Sequence, residues 1–159
     1  MIDIEVEVAA EYYVDDQFID LVANGHKFLT FGKKYILIEC SFVTRPFFFE
    51  SVIYQLKDLG YVPVFAHPER YKFLEGDIQW LTEIKKTGIL FQVTLGSLGG
   101  YYGAAPRKIG LELVKHEMVD FLGSDLHKAS QVEFLNKGLK MKAVQKVLDS
   151  DRLLNQELL

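Results

Sequence analysis

Short, almost wholly apolar runs alternate along this chain with segments whose apolar residues recur every three to four positions. The first kind suits strands buried on both faces; the second suits helices that bury one stripe. Ile2 to Val8 alternates apolar and acidic residues and predicts a strand with one wet face. Asp15 to Asn24 predicts a helix, with Phe18, Ile19 and Val22 on one side and Gly25 as its stop. Lys27 to Phe31 and Tyr35 to Cys40 read as strands around a Gly32-Lys33-Lys34 turn. A helix beginning near Pro46 places Phe49, Val52, Ile53, Leu56 and Leu59 at helical spacing and ends at Gly60. Tyr61 to Ala66 is the next strand.

The second half repeats this rhythm. Asp77 is placed to cap a helix carrying Ile78, Leu81 and Ile84, closed by Gly88. Ile89 to Thr94 predicts a strand, and a glycine-rich stretch from Gly96 to Gly103 leads into a helix over Pro106 to His116. Met118 to Gly123 is another apolar strand, and the tail from Ser130 is mostly helical, with Leu139, Val144, Val147 and Leu148 for packing. Apolar strands alternating with helices predict an α/β fold: a parallel sheet with helices outside, in a single domain over residues 1–159.

Composition narrows the function classes. Hydrophobic residues make up 49% and charged residues 25%, as in ordinary globular proteins. A net charge of −4 offers no basic surface for nucleic acid. One cysteine permits no internal disulfide. No apolar stretch approaches the roughly 18 to 20 residues of a membrane span, and the start lacks a signal-peptide pattern. The expectation is a cytoplasmic protein without membrane insertion.

Chemistry-bearing residues gather where apolar strands end. Ile38-Glu39-Cys40, Ala66-His67-Pro68-Glu69-Arg70 and Gly123-Ser124-Asp125-Leu126-His127 each follow such a run. Polar groups at several strand ends are the pattern of a (β/α) barrel active site. Asp125 and His127, two apart on an extended segment, would point to one side as a ligand pair. Carboxylates with histidine suit Mn²⁺, Fe²⁺, Zn²⁺ or Mg²⁺. Arg70 can grip a phosphate with two parallel N–H···O bonds. Duller readings stand beside these: Asp125 as a helix cap, Glu39 as a lysine partner. Cys40 and Arg45 have four residues between them, with no glycine, which argues against a thiol phosphatase loop. The glycine-rich stretch lacks the Gly-Lys-Ser/Thr ending of a phosphate loop.

Glu11-Tyr12-Tyr13, Ile36-Leu37-Ile38-Glu39, Ala66-His67-Pro68-Glu69-Arg70-Tyr71, Gly96-Ser97-Leu98 and Ser124-Asp125-Leu126-His127 occur in this order. In them the chain resembles the bacterial metal-dependent protein-tyrosine phosphatases of the polymerase-and-histidinol-phosphatase (PHP) superfamily, the type encoded with capsule and exopolysaccharide export. The resemblance implies a distorted (β/α)₇ TIM-like barrel with up to three metal ions, usually Mn²⁺. It implies Glu39, His67, Asp125 and His127 as metal ligands, Arg70 and His127 as catalytic groups, and Arg70 with Lys128 as substrate-binding groups. The implied reaction is hydrolysis of phosphotyrosine on a partner protein, a bacterial tyrosine autokinase. A histidinol-phosphatase-like enzyme and a non-catalytic PHP fragment acting as an interaction module are the alternatives.

Two departures from the family pattern bear on this. No His-x-His lies upstream of Glu39, so the chain resembles the C-terminal two thirds of a PHP barrel, lacking roughly 70 residues or about two to three βα units. The family usually has another arginine a few residues after the Ser124-Asp125-Leu126-His127 segment; the corresponding stretch, Lys128 to Glu133, has none, and Lys128 offers only a point charge in its place. An incomplete barrel leaves strand edges open, which predicts a homo-oligomer formed edge to edge or rearrangement around the opening strand.

Overall fold

The computed structural model describes residues 6–32 and 34–158. Five strands, β1 (Glu11–Tyr13), β2 (Tyr35–Glu39), β3 (Val62–Ala66), β4 (Leu90–Thr94) and β5 (Phe121–Gly123), form one sheet in sequential order. All neighbouring pairs are parallel. Helices α1 (Asp16–Ala23), α2 (Phe49–Asp58), α3 (Gln79–Lys85), α4 (Leu95–Gly99) and α5 (Ala104–Lys115) connect them. Helices α6 (Val132–Leu139) and α7 (Lys142–Leu148) follow β5. Strands wound in one direction through such crossovers bring all their C-terminal ends to one rim.

The two faces of the sheet differ. Ile36, Ile38, Phe65, Phe91, Val93 and Leu122 point to the helices and join the main hydrophobic core. Phe49, Val52, Ile53 and Leu56 of α2, the stripe expected from its spacing, are all buried there. Burying each contributes roughly 1.5–3 kcal/mol. The opposite face carries Tyr35, Glu39, Gln92 and Phe121. Rings of Tyr35 on β2 and Phe121 on β5 meet at 5.1 Å. In a flat sheet these strands would lie about 14 Å apart. The sheet therefore curls, and this second face is concave.

Several expected elements form differently. The strand assigned to Ile2–Val8 falls partly outside the described residues, and Val6 to Val8 are not in a strand. The strand at the sheet edge is Glu11–Tyr13. Lys27 to Phe31 forms no strand; an isolated bridge joins Phe31 to Tyr35. Tyrosine hydroxyls bond this segment instead. Phe28 N–H donates to Tyr61 Oη at 3.2 Å and Leu29 N–H to Tyr12 Oη at 2.7 Å. Ile78, not Asp77, occupies the cap position of α3, although Asp77 Oδ1 accepts from Gln79 N–H at 2.9 Å.

The glycine-rich stretch is a packing device. A Cβ at Gly99 would stand 1.9 Å from Phe134 O, and one at Gly138 2.5 Å from Leu95 O. Only glycine lets α4 and α6 approach this closely.

One strand edge is capped. Asn155 Oδ1 accepts from Leu122 N–H at 2.9 Å, and its Nδ2 donates to Leu122 O at 3.0 Å. Leu154 N–H donates to Asp120 O at 2.8 Å. The tail thus satisfies part of the outer edge of β5. Among the described residues, β1 has a strand partner on one side only. No described helix is long and apolar enough to cross a membrane.

Candidate metal centre

Strands β1, β2 and β3 bring three ligand-type groups together at the rim. Glu11 opens β1, Glu39 closes β2, and His67 follows β3. Pairing sets Tyr13 beside Glu39 and Glu11 beside Leu37, so both acids share the concave face. His67 N–H donates to Gln92 O at 2.8 Å, extending the β3–β4 ladder by one residue. The backbone at His67 then turns left-handed, with φ 35° and ψ 52°. For a residue with a Cβ this costs roughly 1 kcal/mol or more. Its imidazole Nε2 stands 3.2 Å from Glu11 Oε1 and 3.3 Å from Glu39 Oε2. Donor atoms of all three residues lie within 4.8 Å of one another.

Electrostatics at this trio are unbalanced toward charge. Burial alone would lower the pKa of His67. Hydrogen bonds to Glu11 and Glu39 outweigh it, with Arg70 opposing and the Glu11 charge adding, and push it from 6.5 up to about 9. A proton on Nε2 thus joins two carboxylates in a buried place. Two carboxylate oxygens and one imidazole nitrogen within this reach could hold a divalent cation, the nitrogen favouring Zn²⁺ or Fe²⁺ and the oxygens Mn²⁺ or Mg²⁺. The opposite ring nitrogen, Nδ1, is buried without a partner among the described residues.

A second cluster lies beside the first. Arg70 Nη1 donates to Asp125 Oδ2 at 2.5 Å. Tyr102 Oη donates to the same oxygen at 3.2 Å. Asp125 has φ 46°, so the segment to His127 is not extended as its spacing suggested. The pair still adjoins, with Asp125 Oδ1 and His127 Nδ1 3.4 Å apart, and Nδ1 lies 3.0 Å from Asp125 O. Buried Gln131 ties the loop: its Oε1 accepts from His127 and Lys128 N–H at 2.7 and 2.8 Å. Its Nε2 donates to Tyr102 Oη at 3.1 Å and to Asp125 O at 3.2 Å. Arg70, Tyr102, Asp125, His127 and Gln131 line an open hollow of about 350 Å³.

Phe42 joins the two clusters. Its ring stacks on His67 at 5.3 Å, and the Arg70 guanidinium carbon lies 5.1 Å from its centre. Glu39, His67, Arg70, Asp125 and His127 therefore occupy one rim of the sheet. Asp125 and His127 stand outside the tight donor trio, and His127 is 71% exposed. Lys128 is exposed, held through its backbone.

Glu11, Tyr102, Gln131 and Phe42 were not among the expected site residues. The alternating pattern over Ile2–Val8 draws the opening strand too far forward and hides Glu11, which opens β1. A usable signal was Asp15, which caps α1 by accepting from Phe18 N–H at 2.9 Å and so marks where the preceding strand stops. Glu69 is also fully buried at the rim, where its Oε1 accepts from Thr94 N–H at 3.1 Å and Oγ1 at 2.7 Å. This fastens the Pro68–Arg70 turn to the end of β4.

Cys40 offers no thiol chemistry. It is fully buried. Burial raises its pKa from 9.0 to about 12, with the Tyr71 hydroxyl opposing and Glu39 adding. Arg45 turns to Trp80, 5.6 Å from the ring centre.

Comparison with known proteins places the chain in a family. Residues 1–151 match the family described as "Capsular polysaccharide synthesis, CpsB/CapC". The chain is 32% identical over 147 residues to a Staphylococcus aureus protein provisionally named tyrosine-protein phosphatase CapC, covering 90% of this chain and 58% of that protein. It is 37% identical over 101 residues to tyrosine-protein phosphatase YwqE of Bacillus subtilis, covering 64% of this chain and 40% of that one. A similar solved structure comes from work on YwqE and on CpsB of Streptococcus pneumoniae, described as metal-dependent tyrosine phosphatases. It superposes with a TM-score of 0.75 at 28% identity, covering 90% of this chain and 57% of that chain. The chain thus spans 40–58% of the length of the relatives it matches. Matched over residues 1–151, the chain belongs to the CpsB/CapC family of capsular polysaccharide synthesis.

Proposed function

We propose that this chain carries the phosphate-ester site of a metal-dependent protein-tyrosine phosphatase. The carrying observation is the Glu11–Glu39–His67 donor trio on the same rim as Arg70. The names of the relatives supply the substrate class. The curled sheet is read as part of a distorted (β/α)₇ barrel, consistent with Tyr35 meeting Phe121.

Glu11, Glu39 and His67 would hold a divalent cation, Mn²⁺ by the resemblance, with Fe²⁺, Zn²⁺ and Mg²⁺ as alternatives. Asp125 and His127 form a second donor pair beside them. When bound, such a cation supplies positive charge against the charge developing on the phosphoryl oxygens. Arg70 is anchored at Nη1 by Asp125, and its Nε and Nη2 make no hydrogen bond among the described residues. That free edge receives two phosphate oxygens and fixes the ester's orientation. Lys128 adds a mobile positive charge at the mouth. His127 has Nδ1 turned toward Asp125, which leaves Nε2 to give a proton to the leaving phenolic oxygen.

The partner in this reading is a phosphotyrosine-bearing protein, a tyrosine autokinase, met in the cytoplasm. A second copy of the chain meets the edge of β1 that has no strand partner among the described residues.

Turnover of p-nitrophenyl phosphate, with and without Mn²⁺, tests the reading. Metal-stimulated turnover that disappears in His67→Ala supports it. No turnover at any metal concentration overturns it and favours a non-catalytic interaction module. Preference for histidinol phosphate over a phosphotyrosine peptide would replace the protein substrate with a small molecule.

A further inference from the structure

Two aromatic rings flank the arginine assigned to phosphate. Tyr102 lies on one side, its ring centre 4.2 Å from the Arg70 guanidinium carbon. Phe42 lies 5.1 Å from the same carbon and also stacks on His67. A phosphoryl group held by Arg70 and reached by the His67 trio would lie beside the Phe42 ring, which touches both. The hollow beside Arg70 that Tyr102 lines has room for the ester substituent.

Both rings are half-buried, so part of each remains reachable. Both are also fixed. Phe42 O accepts from Lys72 N–H at 2.7 Å, and its ring stacks on Tyr71 at 5.3 Å. Tyr102 is held by Asp125 and Gln131 through its hydroxyl. Rings already held in place lose little entropy when a planar group packs against them.

We infer that Phe42 and Tyr102 are specificity-determining residues, which make this site favour aryl phosphate esters over alkyl ones. An aryl ester packs its ring against them, in the offset or edge-on arrangements aromatic pairs prefer. An alkyl ester of the same charge meets the same arginine and gains less. The inference rests on the reading of Arg70 as the phosphate group.

Equilibrium binding to the Mn²⁺-loaded 159-residue chain tests it, with phenyl phosphate, ethyl phosphate and inorganic phosphate as probes. The aryl-to-alkyl affinity ratio should fall about 3- to 10-fold in Phe42→Leu and again in Tyr102→Leu, the span expected for one aromatic contact. It should hold in Tyr102→Phe, which keeps the ring. Inorganic phosphate, which has no substituent, reports any loss at Arg70 itself, so the phenyl-to-ethyl ratio is read within each variant, and circular dichroism checks folding. An unchanged ratio in both leucine variants, with inorganic phosphate still bound, overturns the inference and leaves the site reading standing. Phosphate binding that is absent, or that survives Arg70→Ala, overturns the site reading and the inference with it.

Discussion

Glu11 on the edge strand and His67 beyond β3 pair at 3.2 Å, Oε1 to Nε2, across the end of β2. That pairing, with the one to Glu39, raises the histidine pKa to about 9 against the effect of burial. In the chelated protein, His67 should carry its proton at neutral pH. The folded pKa lies above the ordinary value of 6.5, so the stabilisation is complete below pH 6.5. It is lost as pH rises through about 9. Imidazole titration by NMR should find His67 as a late-titrating ring, moved to lower pH in Glu11→Gln. A midpoint below 6.5 in the parent would contradict this assignment.

Cys40 should be inert while the chain is folded. Its thiol is pushed up to about 12, and the thiolate is the reacting form. Iodoacetamide at pH 8 should label it at least tenfold more slowly in the native protein than in urea. The unfolded thiol ionises near 9.0 and the folded one near 12, so stability should decline between those values. Rapid native labelling would show that the rim is open at this strand.

Asn155 should matter to stability more than its position near the chain end suggests. Its amide makes both bonds to Leu122 on the outer edge of β5. Asn155→Ala leaves those backbone groups without a protein partner and should cost roughly 1–3 kcal/mol in urea denaturation. Loss of the cap should also increase self-association, measurable by sedimentation.

Gly99→Ala should be among the most damaging single changes. The added methyl would meet the Phe134 carbonyl of α6. Separating the helices to relieve it should cost about 2 kcal/mol or more, lowering the thermal midpoint. A neutral outcome would mean that α4 and α6 are not held as tightly as they lie.

The sequence carried the alternating architecture because each strand of the interior is a short apolar run and each helix has a buried stripe. Glu39, His67 and Asp125 were legible for a related reason: a charged or ligating group just past such a run has no core to join. Glu11 was not, since it opens a three-residue strand and looks like one more acid in an acidic beginning. Lys27 to Phe31 has strand-like residues, yet its backbone groups are taken by Tyr12 and Tyr61, contacts between distant positions that no local pattern reveals. Gly96 to Gly103 lacks the ending of a phosphate loop, but the role of its Gly99 depends on α6, which arrives only later in the chain. Tyr102 and Gln131 gain meaning only once the turn at Asp125 brings them together.

The central claim is that Glu11, Glu39 and His67 form one cation site on this rim. Mn²⁺ binding followed by electron paramagnetic resonance tests it without any turnover. The account predicts saturable binding that weakens at least tenfold in Glu11→Gln and is lost in His67→Ala, in variants that remain folded by circular dichroism. Binding of equal strength in the parent and in His67→Ala, or no binding in either, would contradict it.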